Sequence, residues 1–396
     1  MKRFPGFVLL VVTSLFTLFG CKKNANEDEL VSSLNEKYAT SPESILENAF
    51  GSNDDGSGAV YVLSNQASGN QVLVYNRTTD GSLSSGGSFS TEGNGTGAGL
   101  GSQGSVILHE KGGNTYLFAV NAGSNEITVF RLTGNGLTWV DKVTSHGTTP
   151  ISVTAHESIL YVLNAGGSGN ISGFQINTDG HLTYLENSTK SLGSNDAGPA
   201  QIQFNNAGSQ LVVTEKNANR ISTYSVYSNG LISDVVSHSS TGTTPFGFGF
   251  DNHDKLIVTD AFGGAVNESA VTSYNLSGSG SLSLIDGPKG THQTAACWLA
   301  ITNNGKYCYA TNTGSASITG YSIRDGGLTL LNADGVTAGT GTTPTDIALT
   351  NNSKFIYNLN STSHSVTFFK VREDGSLDAL GSVNGLPVGA VGIAAK

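Results

Sequence analysis

Pro344-Thr-Asp-Ile-Ala-Leu-Thr-Asn-Asn-Ser-Lys-Phe-Ile-Tyr-Asn-Leu-Asn360 is the stretch on which the reading turns. An apolar strand runs into a tight polar turn, and a second apolar strand ends on a polar residue. Val366-Thr-Phe-Phe369 then makes a third strand, and Asp-Gly-Ser-Leu377 a further turn. The unit returns seven times, its second strand ending at Asn65, Asn121, Asn164, Glu215, Asp260, Asn312 and Asn360. A Gly precedes Leu83, Leu137, Leu182, Leu231, Leu282, Leu328 and Leu377 at the later turn. A period of roughly 40–50 residues carrying several short strands marks a β-propeller, because one blade cannot bury its own faces and must stack on neighbours.

The first unit begins at Ala59-Val-Tyr-Val-Leu63, which is second-strand text, so blade 1 lacks an innermost strand. Val391-Gly-Ile-Ala-Ala395 copies the inner-strand text Thr345-Asp-Ile-Ala-Leu349 of blade 7. The expected fold is therefore all-β, a seven-bladed propeller over residues 58–396 whose C-terminal strand closes the ring and removes its open edges.

Lys2 and Arg3 precede an apolar run from Phe7 to Phe19, the length of a signal h-region and short for a membrane span. It ends in Leu18-Phe19-Gly20-Cys21, which resembles the bacterial lipobox, whose cysteine is lipidated after cleavage. Residues 1–20 read as a lipoprotein signal peptide and residues 21–57 as a lipidated tether, with a short helix-like piece from Ser41 to Phe50. The expected location is the bacterial cell envelope, in the outer membrane or at the surface. Only 13% of the chain is charged, against about 25% in an average protein, and Gly reaches 52 residues. A net charge of −10 argues against a nucleic-acid partner, whose phosphates need Lys and Arg. The expected partners are a small-molecule lactone or glycan, or an envelope protein, with a monomeric body. Cys297 and Cys308 sit out of register on two strands, where Cys308 should face Ile301, so two buried free thiols are expected.

Inner-strand starts and second-strand ends must share one face if the first strand of each blade runs down the channel and the second returns. The starts follow Pro150, Pro199, Pro245 and Pro344, with Ala296 equivalent in blade 6. The long connection from Ala261 to Ala270 and the loop Gly287-Pro-Lys-Gly-Thr-His292 fall on this face, where binding usually resides. Glu215 and Asp260 break the Asn pattern in adjacent blades. They read as a general base with its partner, as ligands of a divalent cation, or as acidic substitutes in the same turn role. Arg220 is an oxyanion contact or a neutraliser of Glu215, and His292 a catalyst or an exposed bystander. Trp298 at an inner-strand start could stack a sugar ring or fill the channel mouth, with Phe246 and Asp346 beside it. Asn164 and Asn312 bind ligand or, like Asn65, Asn121 and Asn360, cap backbone groups. His109, His156 and His253 fall near opposite-face turns and should be exposed.

The blade framework, with Pro344-Thr-Asp-Ile-Ala-Leu349 and Val371-Arg-Glu-Asp-Gly-Ser-Leu377 as its clearest text, resembles the seven-bladed lactonase family over residues 59–396. That family includes bacterial 6-phosphogluconolactonases and fungal carboxymuconate-cyclising enzymes. Its fourth blade tends to open Gly-x-His and to show Asp-Arg before the third strand; here stand Gly198-Pro-Ala200-Gln201 and Asn219-Arg220. Its fifth tends to open Gly-Pro-Arg-His, and here stands Thr244-Pro-Phe246-Gly247. Arg220 is kept, while the histidines and one arginine give way to Ala200, Gly247 and Phe246. The resemblance thus implies a lactonase-like hydrolase acting on a non-phosphorylated sugar or other lactone, since a phosphate needs a cationic cradle. A non-catalytic surface propeller that binds a glycan or protein through Trp298 and Phe246 is the alternative.

Overall fold

The structure, a computed structural model, describes residues 56–134 and 136–396. The expectations for the signal peptide, for Cys21 and for the tether as far as residue 55 fall outside the described residues.

Seven antiparallel sheets form, one for each repeat. For blades 1 to 7 the inner strands are Val391–Ala395, Val106–Lys111, Pro150–His156, Pro199–Phe204, Pro245–Phe250, Ala296–Ile301 and Pro344–Leu349. Second strands such as Gln210–Glu215 and Phe355–Asn360 are buried at every position, because a neighbouring blade covers each of their faces. The outer strand Leu377–Asn384 has no buried residue and carries Ser, Asp and Asn.

Blades are stitched to one another by a repeated pair. The buried second-strand phenols of Tyr161, Tyr309 and Tyr357 each donate, at 2.8 Å, to the carbonyl of Gly230, Gly375 and Gly81, the turn glycine of the next blade. These glycines have φ of 81°, 82° and 88°, a left-handed conformation that side chains resist. The turn signal in the sequence is therefore also a docking point.

The ring closes as the sequence implied. Val391–Ala395 pairs antiparallel with Gly58–Leu63, aligning Val62 with Ile393 and Val60 with Ala395. Cys308 is in register with Ile301, and both remaining cysteines are buried free thiols. Pro150 pairs with Asn164, Pro199 with Glu215, Pro245 with Asp260, Ala296 with Asn312 and Pro344 with Asn360, so the inner-strand starts and second-strand ends do share one face.

On that face the text Gly-Thr-Thr-Pro recurs before blades 3, 5 and 7. Its second Thr (Thr149, Thr244, Thr343) is held at φ of 54° to 58°, which is strained for a β-branched residue. The strain aims each carbonyl at the N–H of Ala165, Ala261 or Ser361, at 2.9 to 3.0 Å. The Gly of the motif abuts the side chain of Asn164, Asp260 or Asn360, where a Cβ would collide.

Deleting residues 388–396 should leave Gly58–Leu63 and the neighbouring inner strands with open edges. We expect aggregation or a large loss of melting temperature, and a truncated protein that melts like the full body would reject this closure.

Candidate functional site

The polar residues at the second-strand ends are caps inside the blades. Asn121 Nδ2 donates to Thr128 Oγ1 at 2.8 Å and Asn312 Nδ2 to Thr319 Oγ1 at 2.8 Å, in each case a hydroxyl on the third strand. Glu215 and Asp260 make the same contact with the polarity reversed: Glu215 accepts from Ser222 Oγ and Asp260 from Thr272 Oγ1, both at 2.5 Å. A hydroxyl can donate or accept, so the position tolerates either an amide or a carboxylate.

Of the three readings of Glu215 and Asp260, this placement is that of acidic substitutes in the same turn role. Glu215 and Asp260 are fully buried, each inside its own blade, and neither lines the cavity at the mouth. Glu215 also accepts from the Gly193 N–H at 2.8 Å, while its second oxygen has no partner. Arg220 pairs with Glu215 in backbone register but its guanidinium donates to Ser237 Oγ at 2.9 Å, so it does not neutralise the carboxylate. Among the described residues no three His, Cys, Asp or Glu side chains converge to hold a metal ion. Asn164 donates to Ser145 O and to Asn170, and Asn312 to Ser317 and Thr319, as caps within their blades. His292 is exposed on its loop. His253 is exposed, but His109 and His156 are half-buried, correcting the expectation for those two: His109 Nε2 hydrogen-bonds the Glu157 carbonyl, and His156 packs on Phe204. Burial pushes the Asp260 carboxyl up to about 7, against which the Thr272 and Ser240 hydroxyls act.

Trp298 and Phe246 do come together, their rings 4.9 Å apart. What covers them was not read from the sequence. The Gly-rich connection from blade 1 to blade 2 runs as a strap across the channel mouth. Its first half is tied to blade 1, where Asn65 accepts from Thr96 N and donates to Ala98 O. Its second half is pinned on the far side. Trp298 Nε1 donates to Ser102 O at 2.8 Å, Ser102 Oγ to Ile151 O at 2.9 Å, and Gln103 N to Ala200 O at 3.0 Å. The Gln103 amide bonds both backbone groups of Leu299, at 2.7 and 3.0 Å. Lys216 donates to the Gly101 carbonyl and lies 4.6 Å from the centre of the Phe246 ring; desolvation lowers its amine to about 8.

The strap separates two spaces. Below it is the channel, about 360 Å³, lined by Gln103, Gln201, Gln203, Thr154 and Asp346. Asp346 is buried there and desolvation holds its carboxyl well above the usual range, although the N–H groups of Ile347 and Ile393 favour its charged form. Above the strap lies a cavity of about 680 Å³ whose wall includes Leu100, Trp298, Thr345, His364, Val388 and Val391. Three of its hydroxyls are committed: Ser102 to Ile151 O, Ser361 to Thr343 O and Thr362 to Thr343 Oγ1. The buried Thr345 Oγ1 has no partner.

The family model described as a lactonase with a seven-bladed β-propeller matches residues 57–286 and 265–390. No curated protein matches the chain by sequence. Among solved structures, a Lactobacillus plantarum protein is similar with a TM-score of 0.67 at 16% identity, over 86% of this chain and 99% of that one. A Bacteroides fragilis protein provisionally assigned as a 6-phosphogluconolactonase gives 0.65 at 16% identity, over 87% and 99%. A periplasmic gluconolactonase of Pseudomonas aeruginosa gives 0.63 at 16% identity, over 85% and 98%. Identities this low carry the fold alone.

Asp260 yields a test of the cap. A folded-state value near 7, above the ordinary 3.8, means that the fold disfavours the carboxylate: the group's stability is full below about pH 4 and is lost as pH rises through 7. At pH 8 the cost approaches about 4 kcal/mol. Asp260→Asn, which installs the amide used in other blades, should raise the melting temperature at pH 8 and change it little at pH 4. A variant less stable than wild type at pH 8 would reject the reading.

Proposed function

We propose that this chain, which belongs to the family of lactonases with a seven-bladed β-propeller, is itself a lactonase that takes an uncharged, non-phosphorylated lactone in the cavity at its mouth. The observation that carries the reading is the wall of that cavity: an indole and aliphatic side chains, with no Arg, Lys, Asp or Glu among its lining residues. An apolar pocket with few polar groups suits a neutral ring that packs against Trp298. A phosphorylated lactone would enter without an Arg or Lys partner in the wall, and Lys216, which reaches the strap, is committed to Gly101 and Phe246. The relative described as a periplasmic gluconolactonase fits a neutral substrate outside the cytosol. We place the protein there on the lipobox at Cys21, tethered by lipid to the cell envelope.

A second reading has one observation in its favour. Glu215 and Asp260, the expected acid–base groups, are withdrawn into their blades, as they would be in a propeller that binds a glycan or protein without chemistry.

The purified body should hydrolyse D-glucono-1,5-lactone with at least a tenfold higher kcat/KM than its 6-phosphate. Trp298→Ala should raise KM about 5- to 100-fold, the size of effect expected for a buried aromatic anchor. Preference for the phosphorylated lactone would overturn the substrate class. Rates at the buffer level for every lactone, with a glycan still bound, would establish the second reading instead.

Cys21→Ser should move the protein from the membrane fraction to the soluble fraction, because the h-region cannot replace an acyl anchor once the signal is removed. An unlipidated wild-type N-terminus with unchanged fractionation would exclude it.

A further inference from the structure

His364 occupies a turn position that recurs between second and third strands. Asn125, Asn219 and Ala316 stand there in blades 2, 4 and 6, at φ of 63°, 51° and 52°, and His364 at 48°. Asn suits the left-handed conformation, and here it does structural work. The Asn125 and Asn219 side chains accept the N–H of Thr149 and Thr244 at 2.7 and 2.6 Å, fixing the strained motif that opens the next blade. In blade 7 that job is gone: the His364 imidazole makes no hydrogen bond to any described group. It lines the mouth cavity instead, as the one titratable side chain among the lining residues. Thr345 stands in the same wall, its unpartnered hydroxyl buried out of reach of that space.

We infer that His364 is the general base of this site, an assignment that rests on the proposed lactonase activity. An imidazole nitrogen takes a proton from water as the water oxygen bonds to the lactone carbonyl carbon. The carbonyl π pair moves onto its oxygen. When the carbonyl re-forms, the ring C–O bond breaks, and the departing oxygen takes the proton back from the imidazolium. One water is added, one hydroxy acid forms, and His364 returns neutral.

The test measures D-glucono-1,5-lactone hydrolysis by the wild type, His364→Asn, His364→Ala and, as a control, His253→Ala. His364→Asn copies the residue of blades 2 and 4, so its melting temperature should match wild type while kcat falls roughly 10²- to 10⁴-fold with KM nearly constant. Free imidazole should restore part of the His364→Ala activity, which a merely structural role would not allow. His253→Ala should lose no activity. Wild-type turnover that survives in folded His364→Asn, or a loss in His364→Ala that imidazole leaves untouched, overturns the base assignment but spares the lactonase. Absence of wild-type turnover overturns both.

Discussion

A propeller blade has two apolar faces and no core of its own, so everything depends on how each blade grips the next. Here the grip is a buried phenol. A tyrosine in the middle of a second strand must satisfy its hydroxyl away from water, and the nearest acceptor is the carbonyl of a turn glycine one blade along, as with Tyr161 and Gly230 or Tyr357 and Gly81. The last of these pairs crosses the seam between blade 7 and blade 1. The seam therefore carries both this hydroxyl and the ladder from Val391–Ala395 to Gly58–Leu63, and the chain's two ends hold the ring shut.

The inner strands face a second problem, since each offers one edge of N–H and C=O groups to the channel. Side chains meet much of that demand. Gln201 bonds both backbone groups of Phe248 in the next blade, Ser152 and Thr154 accept from Ile202 and Phe204, and Thr259 donates to the Cys297 carbonyl. Gln103 plays the same part for Leu299, but it reaches from blade 2 to blade 6 across the axis. The strap is thus held by the same chemistry that joins neighbouring blades, used over a longer span.

Pattern decided what could be read in advance. The repeat, the closing strand, the facing of Cys308 with Ile301 and the common face of strand starts and ends all follow from period and register, and these stood. Chemistry at the second-strand ends was harder. Glu215 and Asp260 interrupt a run of asparagines, which looks like function in a sequence, yet their burial is set by Gly193 and Gly242 of a preceding loop closing over them. The strap was invisible because a segment so rich in glycine has no hydrophobic period to betray where it lies. His364 was not singled out from the sequence. Aligning it with Asn125 and Asn219 would have singled it out, because the turn asks for a left-handed residue and a carbonyl acceptor and His364 supplies only the first.

The position of the cavity follows from the strap. Its pinned half runs toward Trp298, Ile151 and Ala200 in blades 6, 3 and 4, so the part of the mouth left open is the sector of blades 7 and 1. That is also where the chain comes back to close the ring, and Val388 and Val391 of the closing segment become one wall while Leu100 of the strap becomes another. Asn65 joins the two, donating both to Ala98 in the strap and to Gly389 in the closing segment. A residue that caps a strand in blade 1 consequently also sets the spacing of the cavity walls. Gln66 makes a second bridge, its amide donating to the Val388 carbonyl and its own carbonyl accepting from Gly95 N of the strap, so ring closure and site geometry are coupled through two adjacent residues.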